Sequence, residues 1–131
     1  MNPPAQDIKD ILEGASSAVG LEFGEDLFCF KQPDTPDFCT TIYDTGGYAP
    51  YSNYRYDRPT IQVRIRGGQN QYREAYAIAE NIKEELKNHD GEIINGTKYI
   101  GIWVMSDIFF AGYDTKNRPE LTINFRIHRT E

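Results

Sequence analysis

The stretch from Arg58 to Leu86, RPTIQVRIRGGQNQYREAYAIAENIKEEL, changes its hydrophobic period once, at Gly67-Gly68, and this limits the fold more than any other segment. Before the glycines, Ile61, Val63 and Ile65 alternate with Gln62, Arg64 and Arg66, the two-residue repeat of a strand with one apolar and one polar face. After them, Ala75, Ile78, Ala79, Ile82 and Leu86 line one side of a helix, and Glu80, Lys83, Glu84 and Lys87 line the other. A strand that runs straight into an amphipathic helix calls for a sheet with that helix packed on it. The glycines themselves read as a tight corner. A phosphate loop would need a lysine followed by Ser or Thr, and a dinucleotide loop the G-x-G-x-x-G spacing, and RGGQNQYRE has neither. Asn70 is the expected cap of the helix.

The flanking segments extend this plan. Ile8, Ile11, Leu12, Ala15 and Val19 repeat at helical spacing between Pro3-Pro4 and Gly20, which predicts an amphipathic first helix. DLFCFKQ (26–32) and FCTTIYD (38–44), with PDTPD between them, read as a hairpin. Residues 45–59 have glycine and proline at both ends and no period, so they read as a long tyrosine-rich loop. EIINGTKYIGIWVM carries Asn95-Gly96, the residue pair a type I′ hairpin turn favours. On its second arm Ile100, Ile102 and Val104 take one face and Tyr99, Trp103 and Met105 the other, as in a strand that is central or covered by a partner. SDIFFAGYD reads as the connection to a last strand, where Leu121, Ile123, Phe125 and Ile127 alternate with Thr122, Asn124, Arg126 and His128. The expected fold is α+β in two layers, with two helices on one face of a mixed, mostly antiparallel sheet and a single domain over residues 1–131.

Composition excludes several functions. With 26% charged and 39% hydrophobic residues the chain is globular, and a net charge of −6 argues against general affinity for phosphate backbones. The opening residues have neither a basic start nor a continuous apolar run, and no later stretch reaches the ~18 apolar residues of a membrane span. A soluble protein made in the cytosol is expected. Cys29 and Cys39 read as small buried hydrophobes, His89 as a cation suited to a helix C-terminus, and His128 as a strand surface residue. No two of these four stand at zinc-ligand spacing, no nucleophile elbow occurs, and neither cysteine has an identifiable base. The chain is therefore expected to be no enzyme and to need no metal or cofactor.

What remains are surfaces suited to partners. In the 45–59 loop Tyr48, Tyr51 and Tyr54 crowd with Arg55, a composition enriched at interface centres; the tyrosines either dock a partner or fold back on their own domain. Arg64 and Arg66, joined by Arg126, either solubilise the polar sheet face or meet an acidic neighbouring copy. Trp103 lies on the strand that is apolar on both sides. Phe109 and Phe110 are adjacent, so at most one can enter the core and the other should bury against a neighbour.

The order IYDTGGYAP (42–50), PTIQVRIRG (59–67) leading into YREAYAIAENI, and INGTKYIGIWVMSDIFFAGYDTKNRPELTINFRI (94–127) resembles the bacteriophage minor capsid and tail terminator proteins over most of the chain. The resemblance implies a structural virion protein, assembled in the host cytoplasm, that caps the tail tube and joins tail to head at the neck. It implies a homo-oligomeric ring, typically a hexamer, with the tail tube protein and a head connector as partners. Packaged DNA would pass through the lumen without specific binding, and no membrane is involved. The alternatives are another neck connector, such as a head-completion or stopper protein, and a single-stranded nucleic-acid module in which the loop tyrosines stack bases.

Overall fold

The computed structural model describes residues 1–14, 19–50, 53 and 56–130. In chain order the elements are α1 (Pro4–Gly14), β1 (Leu27–Cys29), β2 (Cys39–Tyr48), β3 (Tyr56–Arg66), α2 (Tyr72–Leu86), β4 (Glu92–Ile94), β5 (Thr97–Tyr113) and β6 (Pro119–Thr130). The strands form one curled, mixed sheet in the order β1-β2-β3-β6-β5-β4, so the fold is α+β.

The period change in the 58–86 stretch falls where expected, between β3 and α2. Gly67 donates its backbone N–H to the Pro119 carbonyl at 2.9 Å, and a Cβ there would come within 2.9 Å of the Gln71 carbonyl oxygen. Asn70 is not the cap, however. It takes the left-handed conformation at φ 62, and Gln71 occupies the cap position, its side chain accepting the Gly68 N–H at 3.1 Å. The turn is closed by its own groups, and the amide of Gln71 serves the corner instead of the helix.

Ile61, Val63 and Ile65 of β3 are paired with Phe125, Ile123 and Leu121 of β6, and all six are buried. Ala5, Ile8, Ile11 and Leu12 of α1 and Ala75, Ala79, Ile82 and Leu86 of α2 join them in one core. The first turn of α1 has a distant cap: the Ala5 N–H donates to Asp44 Oδ1 at 2.8 Å. The stretch expected to carry this helix on to Val19 includes Ala15, which lies outside the described residues.

Three expectations are corrected. The 26–32 and 38–44 segments do not form a hairpin, because β1 pairs with β2 in parallel, Leu27 with Thr40 and Cys29 with Ile42. A strand of three residues is only ~10 Å long, and the nine residues from 30 to 38 are enough to retrace it. The long loop is shorter than 45–59: Gly47 pairs with Pro59 and Tyr48 with Arg58, so both of its ends belong to the β2–β3 ladder past an irregularity between Asp44 and Gly47. Glycine and proline there sit in the ladder beside a β2 irregularity, which sequence reads as loop. SDIFFAGYD is no connection either. Residues 106–113 of it are the second half of β5, a 17-residue strand.

One local irregularity reassigns a whole face. Tyr99 pairs with Arg129 and Gly101 with His128, which leaves Ile100 as an extra residue on β5. Tyr99 therefore points the same way as Ile102, into the core, and parts company with Trp103 and Met105. The Asn95-Gly96 turn is as expected, with φ of 51 and 81 at its two residues.

Candidate assembly surface

Residues at even positions of β3 and β6 form the face of the sheet opposite the core, since their odd-numbered neighbours are the buried ones. Gln62 donates to Asn124 Oδ1 and Asn124 to Ser106 Oγ, each at 3.3 Å, so a row of amides and a hydroxyl crosses three strands. On one side of this row the Arg64 guanidinium lies 5.6 Å from the Tyr43 ring and donates to Gln62 Oε1 at 3.3 Å. On the other side Arg126 sits 5.2 Å over the Trp103 ring, which meets His128 edge-on at 4.8 Å. The Tyr56 hydroxyl shares a 2.8 Å hydrogen bond with His128 Nδ1. Burial, helped by the charges of Arg126 and Arg58, holds the His128 pKa below its ordinary value. Imidazole here is a neutral spacer between cations.

Sequence places Trp103 on β5, and two details of the fold expose it. Gly101 has no Cβ, and one built there would run into the indole ring, so the indole rests directly over the backbone. A register shift between Val104 and Ser106 then sets Met105 beside Ser106 on the same side, where they line a shallow depression with Thr45, Thr60 and Asn124. Trp103, Met105 and Phe109 are 39%, 48% and 63% exposed, an apolar row on an otherwise polar face.

Arg66 does not belong to this open surface, contrary to the sequence reading that grouped it with Arg64. It is buried, and its guanidinium donates to the carbonyls of Asp37 at 2.9 Å, Pro36 at 2.7 Å and Asp34 at 3.2 Å. Arg118 completes the clamp. It donates to Asp114 Oδ2 at 2.7 Å, to the Asp34 carbonyl at 2.7 Å and to Asp37 Oδ1 at 3.0 Å. Hydrogen bonds from Lys116 and Arg118 hold the Asp34 carboxyl below its usual range. PDTPD thus acts as an anchor for two arginines as well as a turn. Sequence reasoning missed Arg118 because nothing local links it to residues some 80 positions away; the one available sign was two aspartates three residues apart in a proline-fixed loop.

The remaining candidates are dispersed. Tyr48, half exposed, lies 5.7 Å from the Arg58 guanidinium, which donates to the Ala49 carbonyl at 2.7 Å. Tyr51, Tyr54 and Arg55 lie outside the described residues. Phe109 and Phe110 obey alternation, pairing with Thr122 and Leu121 and so taking opposite faces, but neither enters the core. Phe110 packs edge-on against Tyr72 of α2 at 5.5 Å and Tyr113 at 5.2 Å, in an aromatic rim. The core beneath this end of β5 is already filled from α2 and β6.

Nucleophilic groups are poorly placed for chemistry. Cys39 is buried and Cys29 half-buried, both as free thiols, and burial pushes the Cys29 thiol up to about 11. Among the described residues no group of three or more His, Cys, Asp or Glu is placed to hold a metal ion. What the arrangement offers is binding area: stacked arginines, exposed aromatics and a hydrogen-bonded amide row.

Solved structures share this fold. A chain of a structure titled virion of native gene transfer agent particle superposes with a TM-score of 0.77 at 10% identity, over 98% of this chain and 96% of that one. A second solved chain gives a TM-score of 0.58 at 15% identity, over 98% and 97%. No curated protein matches the sequence significantly. The family model of the bacteriophage tail terminator protein matches residues 16–131, all six strands of the sheet and α2, and the chain belongs to that family of structural phage proteins.

Proposed function

We propose that the protein closes the end of a tail tube as a homo-oligomeric ring, a hexamer by family resemblance, and presents the surface on which the head connector docks. Family membership supports the tail-terminator role, and the observation that carries the ring is the uncovered sheet face. A face with Trp103, Met105 and Phe109 exposed in a row, flanked by Arg64 and Arg126, has the composition of an interface core and is unusual for surface left in water. In this reading the chain is one domain over residues 1–131, both helices lie on one side of the sheet, and the other side is free for contact. The virion neck is the proposed location. An acidic total charge suits a lumen through which DNA slides without sticking.

Negative-stain imaging with mass measurement of the purified protein tests the ring, and addition of purified tail tubes tests capping. A protein that stays monomeric over the accessible concentration range and leaves tubes uncapped would contradict the proposal. One observation favours a second reading: arginines stacked on aromatics across an open sheet also suit single-stranded nucleic acid. Salt-dependent retention of labelled oligonucleotides separates the two.

A further inference from the structure

The two outer regions of the sheet carry opposite charge. Beside β1 a tight turn presents Glu22, Phe23 and Glu25. The backbone N–H groups of Glu25, Asp26 and Leu27 all donate to the Glu22 carbonyl at 3.1–3.2 Å, the Glu22 N–H donates to Asp26 Oδ1 at 2.6 Å, and Gly24 supplies the positive φ of 88. Phe23 at its tip is 47% exposed, with Lys9 stacked 4.4 Å from the ring. A hydrogen bond to Glu25, and then the charge of Glu25, raises the Glu22 pKa, the mark of two carboxyls crowded together. Neither carboxylate is in an ion pair with a described residue. The turn is rigid before any partner arrives, so little order is lost on docking.

Across the sheet, on β5 and the adjacent β6, the open face carries Trp103, Met105 and Phe109 with Arg126 and Lys98. Lys98 pairs with Thr130 in the ladder and so shares this face with Arg126. Both cations are exposed, and neither has a carboxylate partner among the described residues. Asp107, the acid within the strip's own strand, is turned toward α2 by its ion pair with Lys83 at 3.0 Å.

We propose that the Trp103–Met105–Phe109 strip, with Lys98 and Arg126, receives the Glu22–Phe23–Glu25 turn of a second copy of this chain. The occupant follows from charge and position. Two strips facing each other would oppose cations to cations, and two turns would oppose carboxylates to carboxylates. Only turn on strip joins opposite signs and adds an aromatic contact. The two surfaces lie toward opposite edges of the β1-β2-β3-β6-β5-β4 sheet, so one chain can use both at once. Such a contact is heterologous, and repeated with the correct rotation it closes into a ring. The inference rests on the ring reading above and names the surfaces that make it.

The test uses the full chain in four forms: wild type, Lys98→Glu with Arg126→Glu, Glu22→Lys with Glu25→Lys, and all four changes together. Each reversed pair is expected to raise the concentration for half-assembly by about tenfold or more, and the four-fold variant to return it to within roughly threefold of wild type. All four substituted side chains are at the surface, and the restored variant guards against a folding defect. If either reversed pair assembles like wild type, or the four-fold variant assembles no better than the worse pair, the assignment of these surfaces falls while the ring reading stands. A monomeric wild type removes both. Retention of a DNA duplex by wild type that is lost in the Lys98→Glu, Arg126→Glu form while assembly persists would assign the strip to nucleic acid and overturn the proposal.

Discussion

Arg66 reaches the carbonyl of Pro36 at 2.7 Å, thirty residues back in the chain, and in doing so leaves the surface that Arg64, two residues away, still occupies. The two arginines share a strand face and differ only in what lies over them. Replacing Arg66 by Ala strands the carbonyls of Asp37 and Pro36, leaves that of Asp34 to Arg118 alone, and is expected to cost about 2–4 kcal/mol and lower the melting temperature by roughly 10 °C. Arg64→Glu is expected to cost about 1 kcal/mol or less, because its partners Gln62 and Tyr43 keep access to water. Urea unfolding of the two variants side by side checks the contrast; equal losses would mean that the clamp on residues 34–37 is ornamental.

Asp7 is fully buried on α1 and accepts the Tyr99 hydroxyl, the Asn95 amide at 2.8 Å and the Asn2 amide at 3.2 Å, with Arg129 3.8 Å away. One carboxylate thus ties the first helix to the β4–β5 turn and to both long strands. Asp7→Ala removes the acceptor and leaves Arg129 without its opposite charge, at an expected cost of about 3–5 kcal/mol. Tyr99→Phe keeps the ring in the core and loses only the hydroxyl, at about 1–2 kcal/mol. The double variant should lose less than the sum, since both share one network. Additive losses would show that the contacts act independently.

His89 stands between Glu85, 3.0 Å away, and Glu92, joining the end of α2 to the start of β4. Burial opposes its protonation, but the hydrogen bonds and charges of the two carboxylates outweigh that and raise the pKa above the ordinary 6.5. A raised folded pKa means that the proton binds more tightly in the folded state. The stabilisation is therefore complete below pH 6.5, the unfolded value, and is lost as pH rises through the higher folded value. His89→Gln should destabilise the protein at about pH 5.5 and by a smaller amount at about pH 9. Stability differences that stay constant across that range would rule out this linkage.

Gly101 provides the bed on which the Trp103 ring lies, since a Cβ at 101 would overlap the indole. Gly101→Val should push the ring off Arg126 and His128. Trp103 is the only tryptophan in the chain, so its fluorescence reports this directly. The variant is expected to shift the emission and to weaken assembly, while unfolding changes by about 1 kcal/mol, because the displaced ring is already at the surface. An unchanged emission spectrum would place the indole elsewhere.

Legibility followed the reach of each interaction. The change of period at Gly67-Gly68, the helix after it and the Asn95-Gly96 turn depend on neighbours within a few residues, and all are readable in the sequence. The placement of Tyr99 on the face of Ile102, away from Trp103, depends on one extra residue against β6, which alternation within β5 cannot reveal. Gly46-Gly47 and Pro59 look like loop until the partner strand is known. The burial of Arg66 is set by Asp34 and Asp37, which come from another part of the chain. Trp103, Phe109 and Arg126 stand out in the sequence as interface candidates against a polar strand face, whereas the Glu22–Phe23–Glu25 turn has no such background.

Phe109 and Phe110 test how the long strand divides its two faces. Phe110 faces α2 and packs on Tyr72 and Tyr113, yet 40% of it remains exposed; Phe109 faces away from the core and is 63% exposed. Sequence alternation implies that one of the two substitutions to serine should unfold the protein, and the burial values argue that neither will. Phe110→Ser is expected to cost about 1–2 kcal/mol, the loss of two edge-on aromatic contacts and part of a buried ring. Phe109→Ser should leave stability within about 0.5 kcal/mol. If the strip on β5 receives a neighbour's turn, the order reverses for assembly: Phe109→Ser should weaken it several-fold, and Phe110→Ser, on the other face, should leave it nearly unchanged. Urea unfolding and sedimentation of both variants give the four numbers needed. A Phe109→Ser protein that is destabilised yet assembles normally would mean that this face belongs to the chain's own packing and not to a partner.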